Sequence, residues 1–331
     1  MDAAERLLTT YRAPLAYIGL GTTAIISCKL ATFAWRYLKP SSLARYHHGK
    51  PGSTWALVTG ASDGIGLGFV EALLQRHFNV LMHGRNKEKL ERIASELRSK
   101  YPKLQIQTVL ADACATQPDI PGVVDAVKAL PGKLTVLINN VGGTPFGSSF
   151  QWFASYDSDT IDKLINLNAR FPTQLTRALL PILHNTTPAL ILNIGSVVGE
   201  LGAPFLSAYS ASKSYNLRFS KSLRGEAAAI GADLEILGIM VANVLSGGNK
   251  EKGSFFTCTS FECASGSLDR VGCGEGIAWC WWRQAVQFAI VNSLPLWMQE
   301  WLLVSTLKKR GDSHDVIEKA KFALEDMKKT A

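Results

Sequence analysis

A short glycine-rich turn constrains the fold of this chain more than any other feature of its sequence. The apolar run at residues 55–59 is followed by Gly60, Gly64 and Gly66, and a helical pattern then continues to Arg76. Glycine at these positions permits a tight turn and lets the backbone approach a pyrophosphate at the N-terminus of the next helix. The sequence therefore predicts a strand, a phosphate-binding turn and a helix, in that order.

Strand-like and helical segments alternate along the chain from this turn onward. The alternation continues over about 190 residues, which is typical of a parallel sheet with right-handed crossover connections. Helices cover both faces of such a sheet, and ligands bind outside the carboxyl ends of its strands. We therefore expect an α/β fold with a doubly wound parallel sheet of the Rossmann type. The predicted strands are residues 55–59, 79–83, 105–110, 135–139, 190–194 and 236–244.

The composition indicates a folded protein in a reducing compartment. Hydrophobic residues make up 47% of the 331 residues and charged residues 19%, so the chain can bury a substantial core. The six cysteines include no C-x-x-C pair, which argues against a disulfide scaffold and a structural zinc site. The six histidines show no ligand spacing either, so we expect no metal. His77 lies between a helix and a strand, where glycine would be easiest, and we expect a left-handed backbone there.

The chain is basic, with a formal net charge of +8 from 35 Lys and Arg against 27 Asp and Glu. This charge fits either a solvated basic surface or a surface that faces an anionic cofactor or a membrane. No basic-aromatic stripe or DNA-reading motif accompanies it, so we expect no nucleic-acid partner.

The N-terminal region predicts a membrane anchor. Residues 13–28 carry no charge and residues 30–35 continue the apolar run after Lys29, which together approach the roughly 20 residues that cross a bilayer. The alternative is a helix that lies on the membrane or packs on the body of the protein. Basic residues are more numerous after this run than before it, which places the main domain in the cytosol. Those after it are Arg36, Lys39, Arg45 and Lys50, and those before it are Arg6 and Arg12.

The C-terminal region combines a second apolar stretch with a basic tail. Polar residues and Pro295 interrupt the stretch at residues 285–307, so we expect interfacial helices or a hydrophobic lid and not a second span. Lys328 and Lys329 match the dilysine retrieval signal of endoplasmic-reticulum membrane proteins, which is read in the cytosol. The sequence thus predicts an anchor and basic linker at 1–50, a nucleotide-binding catalytic domain at 51–245 and a C-terminal region at 246–331.

The ends of the second and third predicted strands indicate which nucleotide is bound. Residues 83–86 contain no acid for the ribose hydroxyls of NAD, whereas Arg85 can face a 2′-phosphate, which favours NADP(H). Asp112 follows the third strand and suits either a hydrogen bond to adenine or a helix cap. The residues expected to contact the cofactor at the turn are Gly60, Ser62, Asp63, Gly64, Ile65 and Gly66.

Five polar residues further along the chain predict carbonyl chemistry. Asn140 follows the fourth strand, Ser196 follows the fifth, and Asn168 lies between them. Tyr209 and Lys213 are four positions apart on a predicted helix and therefore share one face. A cation beside a phenol favours the phenolate, so we expect Lys213 to lower the pKa of Tyr209 from its usual value of about 10. Together these groups can donate a proton to a carbonyl oxygen on which negative charge develops.

These motifs resemble those of a known family. Residues 52–244 look like a classical short-chain dehydrogenase/reductase, whose T-G-x-x-x-G-x-G, N-N-x-G and Y-x-x-x-K motifs are intact at residues 59–66, 139–142 and 209–213. Val141, the anchor and the dilysine tail make the chain similar to one microsomal branch of the family. That branch contains very-long-chain 3-oxoacyl-CoA reductases and 17β-hydroxysteroid dehydrogenases.

The resemblance implies a role for each residue of the predicted site. Tyr209 is the proton donor, Ser196 hydrogen-bonds the substrate oxygen, and Lys213 holds the nicotinamide ribose. Asn168 holds a water that links Lys213 to bulk solvent. The cofactor cleft is lined by Asn140 and Gly142.

The resemblance also implies an NADPH-dependent ketoreductase on the cytosolic face of the endoplasmic reticulum. Its substrate is a long-chain 3-oxoacyl-CoA, a sterol-like ketone or an intermediate of secondary metabolism. A non-catalytic scaffold that keeps the fold and partners membrane enzymes is the alternative from another class. Members of the family commonly pair through the helices that carry Asn168 and Tyr209, which implies a homodimer.

Two segments depart from the family pattern. Residues 246–248 read Ser-Gly-Gly where the family usually has Pro-Gly, on the nicotinamide side of the cleft. Residues 255–276, in the region of the substrate loop, are rich in Cys, Gly and Ser and match no family pattern.

Overall fold

Seven parallel strands form the central sheet in the computed structural model of this chain. The structure describes residues 3–49, 52–144, 150–246, 253–308 and 311–330. The strands are β1 (Thr54–Thr59), β2 (Asn79–Gly84), β3 (Ile106–Leu110), β4 (Lys133–Asn139), β5 (Ala189–Ile194), β6 (Leu234–Met240), β7 (Val244–Leu245), β8 (Cys258–Thr259) and β9 (Ile277–Trp279). The order across the large sheet is β3-β2-β1-β4-β5-β6-β9, while β7 and β8 pair with each other.

Helices connect these strands. The first long helix, α1, belongs to the N-terminal unit, and the others surround or follow the sheet. They are α1 (Ala3–Leu38), α2 (Gly64–Gln75), α3 (Lys87–Lys100), α4 (Ile120–Lys128), α5 (Ser158–Ile165), α6 (Phe171–Asn185), α7 (Val198–Leu201), α8 (Ser207–Ala229), α9 (Ser260–Asp269), α10 (Trp282–Asn292), α11 (Leu296–Lys308) and α12 (Gly311–Thr330).

Strand side chains alternate between two hydrophobic cores, one on each face of the sheet. Val58 belongs to the core that contains Phe69 of α2, whereas its neighbour Leu57 belongs to the core that contains Leu175 of α6. All four side chains are completely buried. Because both faces are covered, the strands are apolar along their whole length, as expected for a parallel sheet. The predicted doubly wound α/β fold is confirmed.

The reversal of strand order beside β1 determines where a ligand can bind. The chain proceeds from β1 to β2 and β3 on one side, and then crosses to β4 on the other side of β1. Connections therefore leave the carboxyl ends of β1 and β4 in opposite directions, which opens a crevice between them. The glycine-rich turn lies at this crevice because it directly follows β1.

Most of the predicted strand limits agree with the structure to within two residues, but two features differ. The sixth predicted strand ends at Met240 and not at residue 244, because the chain leaves the sheet there before pairing again as β7. The strand β9, at the edge of the large sheet beside β6, is absent from the prediction because three residues are too few to show an alternating pattern. His77 has a φ of 63°, so its predicted left-handed backbone is confirmed.

The chain divides into two compact units, Met1–Ser41 and Ser42–Ala331. In the first unit, the stretch Tyr11–Leu38 of α1 is long and apolar enough to cross a membrane, and it alone meets that test among the described residues. The second unit holds the whole sheet and also residues 246–331, which the sequence assigns to a separate C-terminal region.

The apolar stretch at residues 285–307 forms two helices and not one. Helices α10 and α11 have 11 and 13 residues and are separated by a break that contains Pro295. Each is shorter than the roughly 20 residues that a membrane span requires. Trp297 and Trp301 of α11 expose more than 60% of their surface, which leaves an apolar face in contact with solvent.

Candidate active site

The glycine-rich turn is shaped by backbone conformations and contacts that only glycine allows. Gly60 and Gly64 have φ values of +65° and +51°. A Cβ atom on Gly66 would lie 2.0 Å from the carbonyl oxygen of Gly60, so α2 begins in direct contact with the turn. The Asn140 side chain donates a hydrogen bond to the Thr59 carbonyl oxygen (2.9 Å). The turn is therefore fixed from the end of β4 as well as from β1.

The turn forms one wall of a cleft of about 670 Å³ at the carboxyl ends of the central strands. The cleft brings together residues that are up to 186 positions apart in the sequence, from Gly60 to Ser246. Of the predicted site residues, it is lined by Gly60, Ser62, Asp63, Gly64, Ile65, Gly66, Arg85, Asp112, Asn140, Gly142, Ser196, Tyr209 and Lys213.

The charged groups at the end of the cleft beside the glycine-rich turn differ in their partners. Asp63 accepts a hydrogen bond from the backbone N–H of Gly64 (2.7 Å) and forms an ion pair with Lys89 (2.6 Å). The Lys89 hydrogen bond holds the pKa of Asp63 below its usual value. Arg85 is exposed directly after β2 and forms no ion pair within the described parts of the chain. Arg85 is thus the cation here that is left for an anionic ligand.

Asp112 does not cap a helix. Its carboxylate accepts a hydrogen bond from the backbone N–H of Cys114 (3.0 Å) within a local turn, and α4 begins later with Asp119 as its cap. The helix-cap interpretation of Asp112 is therefore wrong, because the chain makes an extra turn before α4. Its carboxylate remains at the wall of the cleft.

Three predicted catalytic residues meet at the other end of the cleft. Tyr209 and Lys213 lie one turn apart in the first half of α8, and the Lys213 Nζ atom is 5.8 Å from the centre of the Tyr209 ring. Lys213 donates a hydrogen bond to the Ile194 carbonyl oxygen at the end of β5 (3.0 Å). Ser196, two residues further on, hydrogen-bonds the Tyr209 hydroxyl. A phenol, a hydroxyl and an ammonium group therefore converge on one position.

Burial shifts the pKa values of both Tyr209 and Lys213. Desolvation raises the pKa of Tyr209 to about 12, although the hydrogen bond with Ser196 acts in the opposite direction. Burial also lowers the pKa of Lys213 to about 8. The expectation that Lys213 lowers the Tyr209 pKa is wrong for this structure, because the ammonium is itself desolvated and bound to the Ile194 carbonyl.

Asn168 lies behind the cleft and not at its surface. It is completely buried in a short π-helical segment, Asn166–Arg170. Its side chain accepts a hydrogen bond from the Gly143 N–H and donates to the Gly143 carbonyl oxygen, both at 2.8 Å. A Cβ on Gly142 would lie 2.8 Å from both Asn168 Oδ1 and Lys213 Nζ. Asn168 thus positions the backbone beside Lys213, and its role in holding a water stays a prediction.

His83 is a cleft residue that the sequence analysis missed. It is the penultimate residue of β2 and is 1% exposed, with its ring stacked on Phe171 at 5.0 Å. The Gly60 N–H donates a hydrogen bond to its Nδ1 atom (3.4 Å), so His83 supports the glycine-rich turn from β2. Burial lowers the pKa of His83 to about 4. The available signal was an isolated titratable residue in an otherwise apolar, buried strand.

The segment after β6 closes the remaining side of the cleft. Val244 and Ser246 line it, and the Ser246 Cβ would be 3.5 Å from a Cβ on Gly64. Ser246, which stands where the family usually has Pro, therefore lies against the glycine-rich turn. The Gly-Gly pair at 247–248 lies outside the described residues.

The structure also brings together three cysteines that are far apart in the sequence. Cys258, Cys263 and Cys280 are buried, and their sulfur atoms all lie within 4.8 Å of one another. The expectation of no metal rests on the spacing of histidines and cysteines in the sequence. Spacing does not show this cluster, because Cys280 lies near the other two cysteines only through the pairing of β9 with β6.

Comparisons with known proteins agree with this architecture. The family model for short chain dehydrogenase matches residues 54–254. The chain is 32% identical over 247 residues to a very-long-chain 3-oxoacyl-CoA reductase of Scheffersomyces stipitis, which covers 70% of each protein. It is 28% identical over 250 residues to hydroxysteroid dehydrogenase-like protein 1 of Gallus gallus, covering 75% of this chain and 74% of the relative.

A solved structure from a study of 7β-hydroxysteroid dehydrogenase stereoselectivity has the same fold. It superimposes with a TM-score of 0.65 at 20% sequence identity, covering 73% of this chain and 93% of that chain.

Proposed function

Because the chain belongs to the short-chain dehydrogenase family, we propose that it is an NADPH-dependent ketoreductase whose substrate is a lipophilic ketone, with a long-chain 3-oxoacyl-CoA as the first candidate. The observation that carries this proposal is the convergence of Ser196, Tyr209 and Lys213 on the cleft that begins at the glycine-rich turn. The same proposal assigns these three residues and Asn168 to catalysis or its support.

The cleft fits a dinucleotide. Gly60 and Gly66 keep side chains away from the turn, and the N-terminus of α2 faces the cleft, where a phosphate group gains hydrogen bonds from backbone N–H groups. Arg85 would hold the 2′-phosphate, since no acidic residue occupies residues 83–86. Asp112 and the Asn140–Gly142 segment would border the adenine and nicotinamide ends.

The reaction follows from the protonation of the chain's own groups. Burial raises the pKa of Tyr209 to about 12, so its hydroxyl is protonated at neutral pH and can donate to a carbonyl oxygen that gains negative charge. Ser196 supplies a second hydroxyl at the same place and stabilises that charge. Lys213, with a pKa lowered to about 8, holds a proton close to the Tyr209 ring. The nicotinamide, when bound, supplies the hydride.

Apolar groups beside Tyr209 support a lipophilic substrate. Leu206, Phe150 and Leu307 are buried in a small cluster that includes Tyr209, and Val316 of α12 packs against it. A second cavity, of about 790 Å³, lies between the α7–α8 segment and α11. Its lining includes Leu201, Ala203, Leu303 and Val304. This arrangement suits an acyl chain, and the name of the Scheffersomyces stipitis relative supplies the 3-oxoacyl-CoA.

A substrate panel tests the proposal. Membranes that contain the full chain are supplied with NADPH and with 3-oxoacyl-CoAs of increasing length, steroid ketones or polyketide ketones, and NADPH consumption is followed. We expect the rate with 3-oxoacyl-CoAs to rise with chain length. Faster reduction of a steroid or polyketide ketone would replace the proposed substrate class. Tight NADPH binding without reduction of any ketone would support a non-catalytic scaffold.

The proposal places the protein in the endoplasmic-reticulum membrane, with the catalytic unit and the C-terminus in the cytosol. The apolar stretch Tyr11–Leu38 and the dilysine tail support this location. Alkaline carbonate should then fail to extract the full-length protein, and protease added to intact microsomes should remove a C-terminal tag. Protection of the tag would contradict the cytosolic C-terminus, and extraction by carbonate would contradict the anchor.

A homodimer belongs to the same proposal. Ile165 at the end of α5 and Tyr215 of α8 are exposed by 45% and 43%. These side chains lie on the helices next to Asn168 and Tyr209, where family members commonly pair. Light scattering of the detergent-solubilised chain would give twice the protomer mass for a dimer.

A further inference from the structure

We propose that Cys258, Cys263 and Cys280 bind a soft, closed-shell metal ion, Cu(I) or Zn(II), through three thiolates. The three residues come from three elements: β8, the first half of α9, and the position directly after β9. Their exposures are 1%, 0% and 2%, and all three are free thiols. Three sulfur donors therefore face one another inside the protein.

The distances fit a metal with little movement of the protein. Sulfur atoms that lie within 4.8 Å of one another are each at most about 2.8 Å from a common centre. Because a typical metal–thiolate bond is about 2.3 Å, each sulfur needs to move by no more than about 0.5 Å.

The backbone around the cluster is held rigidly enough to preserve these distances. A Cβ on Gly266 of α9 would lie 2.2 Å from the Cys280 carbonyl oxygen, so the helix packs directly against the segment after β9. The Thr259–Glu262 capping box fixes the start of α9 between Cys258 and Cys263. Each cysteine is thus placed by secondary structure and not by a loose loop.

Gln284 completes the polar surroundings of the cluster. It is fully buried, its amide nitrogen lies 3.5 Å from the Cys258 sulfur, and the Cys280 thiol donates a hydrogen bond to its Oε1 atom (3.3 Å). An amide N–H directed at a thiolate stabilises the charged ligand, as outer hydrogen bonds do at metal sites. No fourth Cys, His, Asp or Glu joins the group in the described parts of the chain.

Cu(I) and Zn(II) differ in the number of ligands that they need. Cu(I) is selected by soft thiolate ligands, and three sulfur atoms satisfy it without further donors. Zn(II) is bound almost always by four ligands in structural sites, and Gln284 Oε1 is the oxygen placed to be the fourth. Replacing Gln284 by Leu should therefore weaken Zn(II) binding more than Cu(I) binding, because zinc loses a ligand as well as the hydrogen bond to Cys258, whereas Cu(I) loses the hydrogen bond alone.

A metal here would fix the loop that closes the cofactor cleft. Cys258 pairs with Val244, and Val244 lines the cleft. Gln284 accepts a hydrogen bond from the Ala242 N–H (2.9 Å) and donates to the Asn243 carbonyl oxygen (2.9 Å). The cluster and its glutamine therefore hold residues 242–244. The consequence for NADPH binding rests on the proposed function, whereas metal binding itself does not.

The test measures metal binding directly in the full-length chain, purified in detergent under reducing conditions. The apoprotein is titrated with Cu(I) against a chromophoric Cu(I) chelator and, separately, with Zn(II) against a zinc indicator. Each sample is also assayed for metal per chain and for thermal stability. Variants are Cys258→Ala, Cys263→Ala and Cys280→Ala, with Cys273→Ala and Cys28→Ala as controls outside the cluster.

We expect one ion per chain, a raised unfolding temperature with metal, and proton release on binding because the thiols become thiolates. Each cluster variant should bind at least tenfold more weakly, while both controls should bind like the original chain. Equal binding by the cluster variants and the original chain would overturn the proposal. Uptake lost equally in Cys273→Ala, or a disulfide within the cluster with no metal uptake, would also overturn it. Metal binding without a change in NADPH affinity would reject the link to the cleft and leave the metal site intact.

Discussion

Replacing Gly66 by alanine tests how tightly the start of α2 packs against the glycine-rich turn. The added Cβ would lie 2.0 Å from the Gly60 carbonyl oxygen and 2.6 Å from the Asn140 amide nitrogen. The first of these is a backbone atom, so the turn and the helix must separate by about 1.4 Å before the Cβ reaches ordinary contact at 3.4 Å. The substitution should therefore disturb the turn itself and not only a side chain.

Two opposing contributions, overpacking and helix propensity, determine how much Gly66→Ala changes the free energy of unfolding. Overpacking of this kind costs about 1–3 kcal/mol, whereas alanine in a helix is about 0.5–1 kcal/mol more favourable than glycine. We expect Gly66→Ala to lower the free energy of unfolding by about 1–2 kcal/mol. If the displaced turn loses one charge-assisted hydrogen bond to a phosphate, NADPH affinity should fall roughly ten- to a hundredfold.

Gly225→Ala is the matched control. Gly225 lies inside α8, where no atom comes within 4 Å of an added Cβ, so the helix preference acts alone. This variant should be more stable by about 0.5–1 kcal/mol and should bind NADPH normally. The measurements are thermal unfolding and fluorescence titration with NADPH. A Gly66→Ala protein that unfolds like the control and binds NADPH as tightly as the original chain would refute the packing argument.

Four further variants, of which Lys89→Ala is a control, address charge and protonation in the cleft. Arg85→Ala should lower the ratio of NADPH to NADH affinity roughly ten- to a hundredfold. Lys89→Ala, which removes the ion-pair partner of Asp63, should change this ratio much less. An unchanged ratio in Arg85→Ala would show that Arg85 does not hold the 2′-phosphate. Lys213→Ala should lose reductase activity and also weaken NADPH binding, and a variant that loses neither would contradict the proposed role of Lys213. Burial lowers the pKa of His83 to about 4 in the folded chain, whereas in the unfolded chain it is about 6.5. Below about pH 6.5 the unfolded chain therefore binds a proton that the folded chain excludes. The free energy of unfolding should fall by up to about 3 kcal/mol between about pH 6.5 and 4. His83→Phe should flatten this part of the unfolding profile, and an unaltered pH dependence would show that His83 is not its cause.

The parts of the fold that sequence predicts are those with a local cause. The glycine-rich turn needs Gly60 and Gly64 for their positive φ values, and β1 and β2 need long apolar runs because both of their faces are buried. These signals lie within a few residues of each other. The strand β9 has no comparable signal, because its three residues pair with β6 across an intervening segment that contains α9.

In the site, too, the features with a local cause were predictable and those that depend on long-range packing were not. Spacing on α8 places Tyr209 and Lys213 on one face, and strand ends bring Ser196 to the same cleft. Burial was not predictable from spacing, and it reverses the expected direction of the Tyr209 pKa. The cysteine cluster likewise depends on long-range packing, since Cys280 reaches Cys258 only through the position of β9.

Tyr209→Phe is the measurement that tests the central claim most directly. The variant removes one hydroxyl, so the fold should persist and NADPH should bind with nearly unchanged affinity. Reduction of the best ketone in the substrate panel should fall at least about a hundredfold, because a positioned proton donor contributes roughly 10²–10⁴-fold. Near-normal reduction by Tyr209→Phe, with NADPH binding intact, would contradict proton donation by this residue and with it the proposed mechanism.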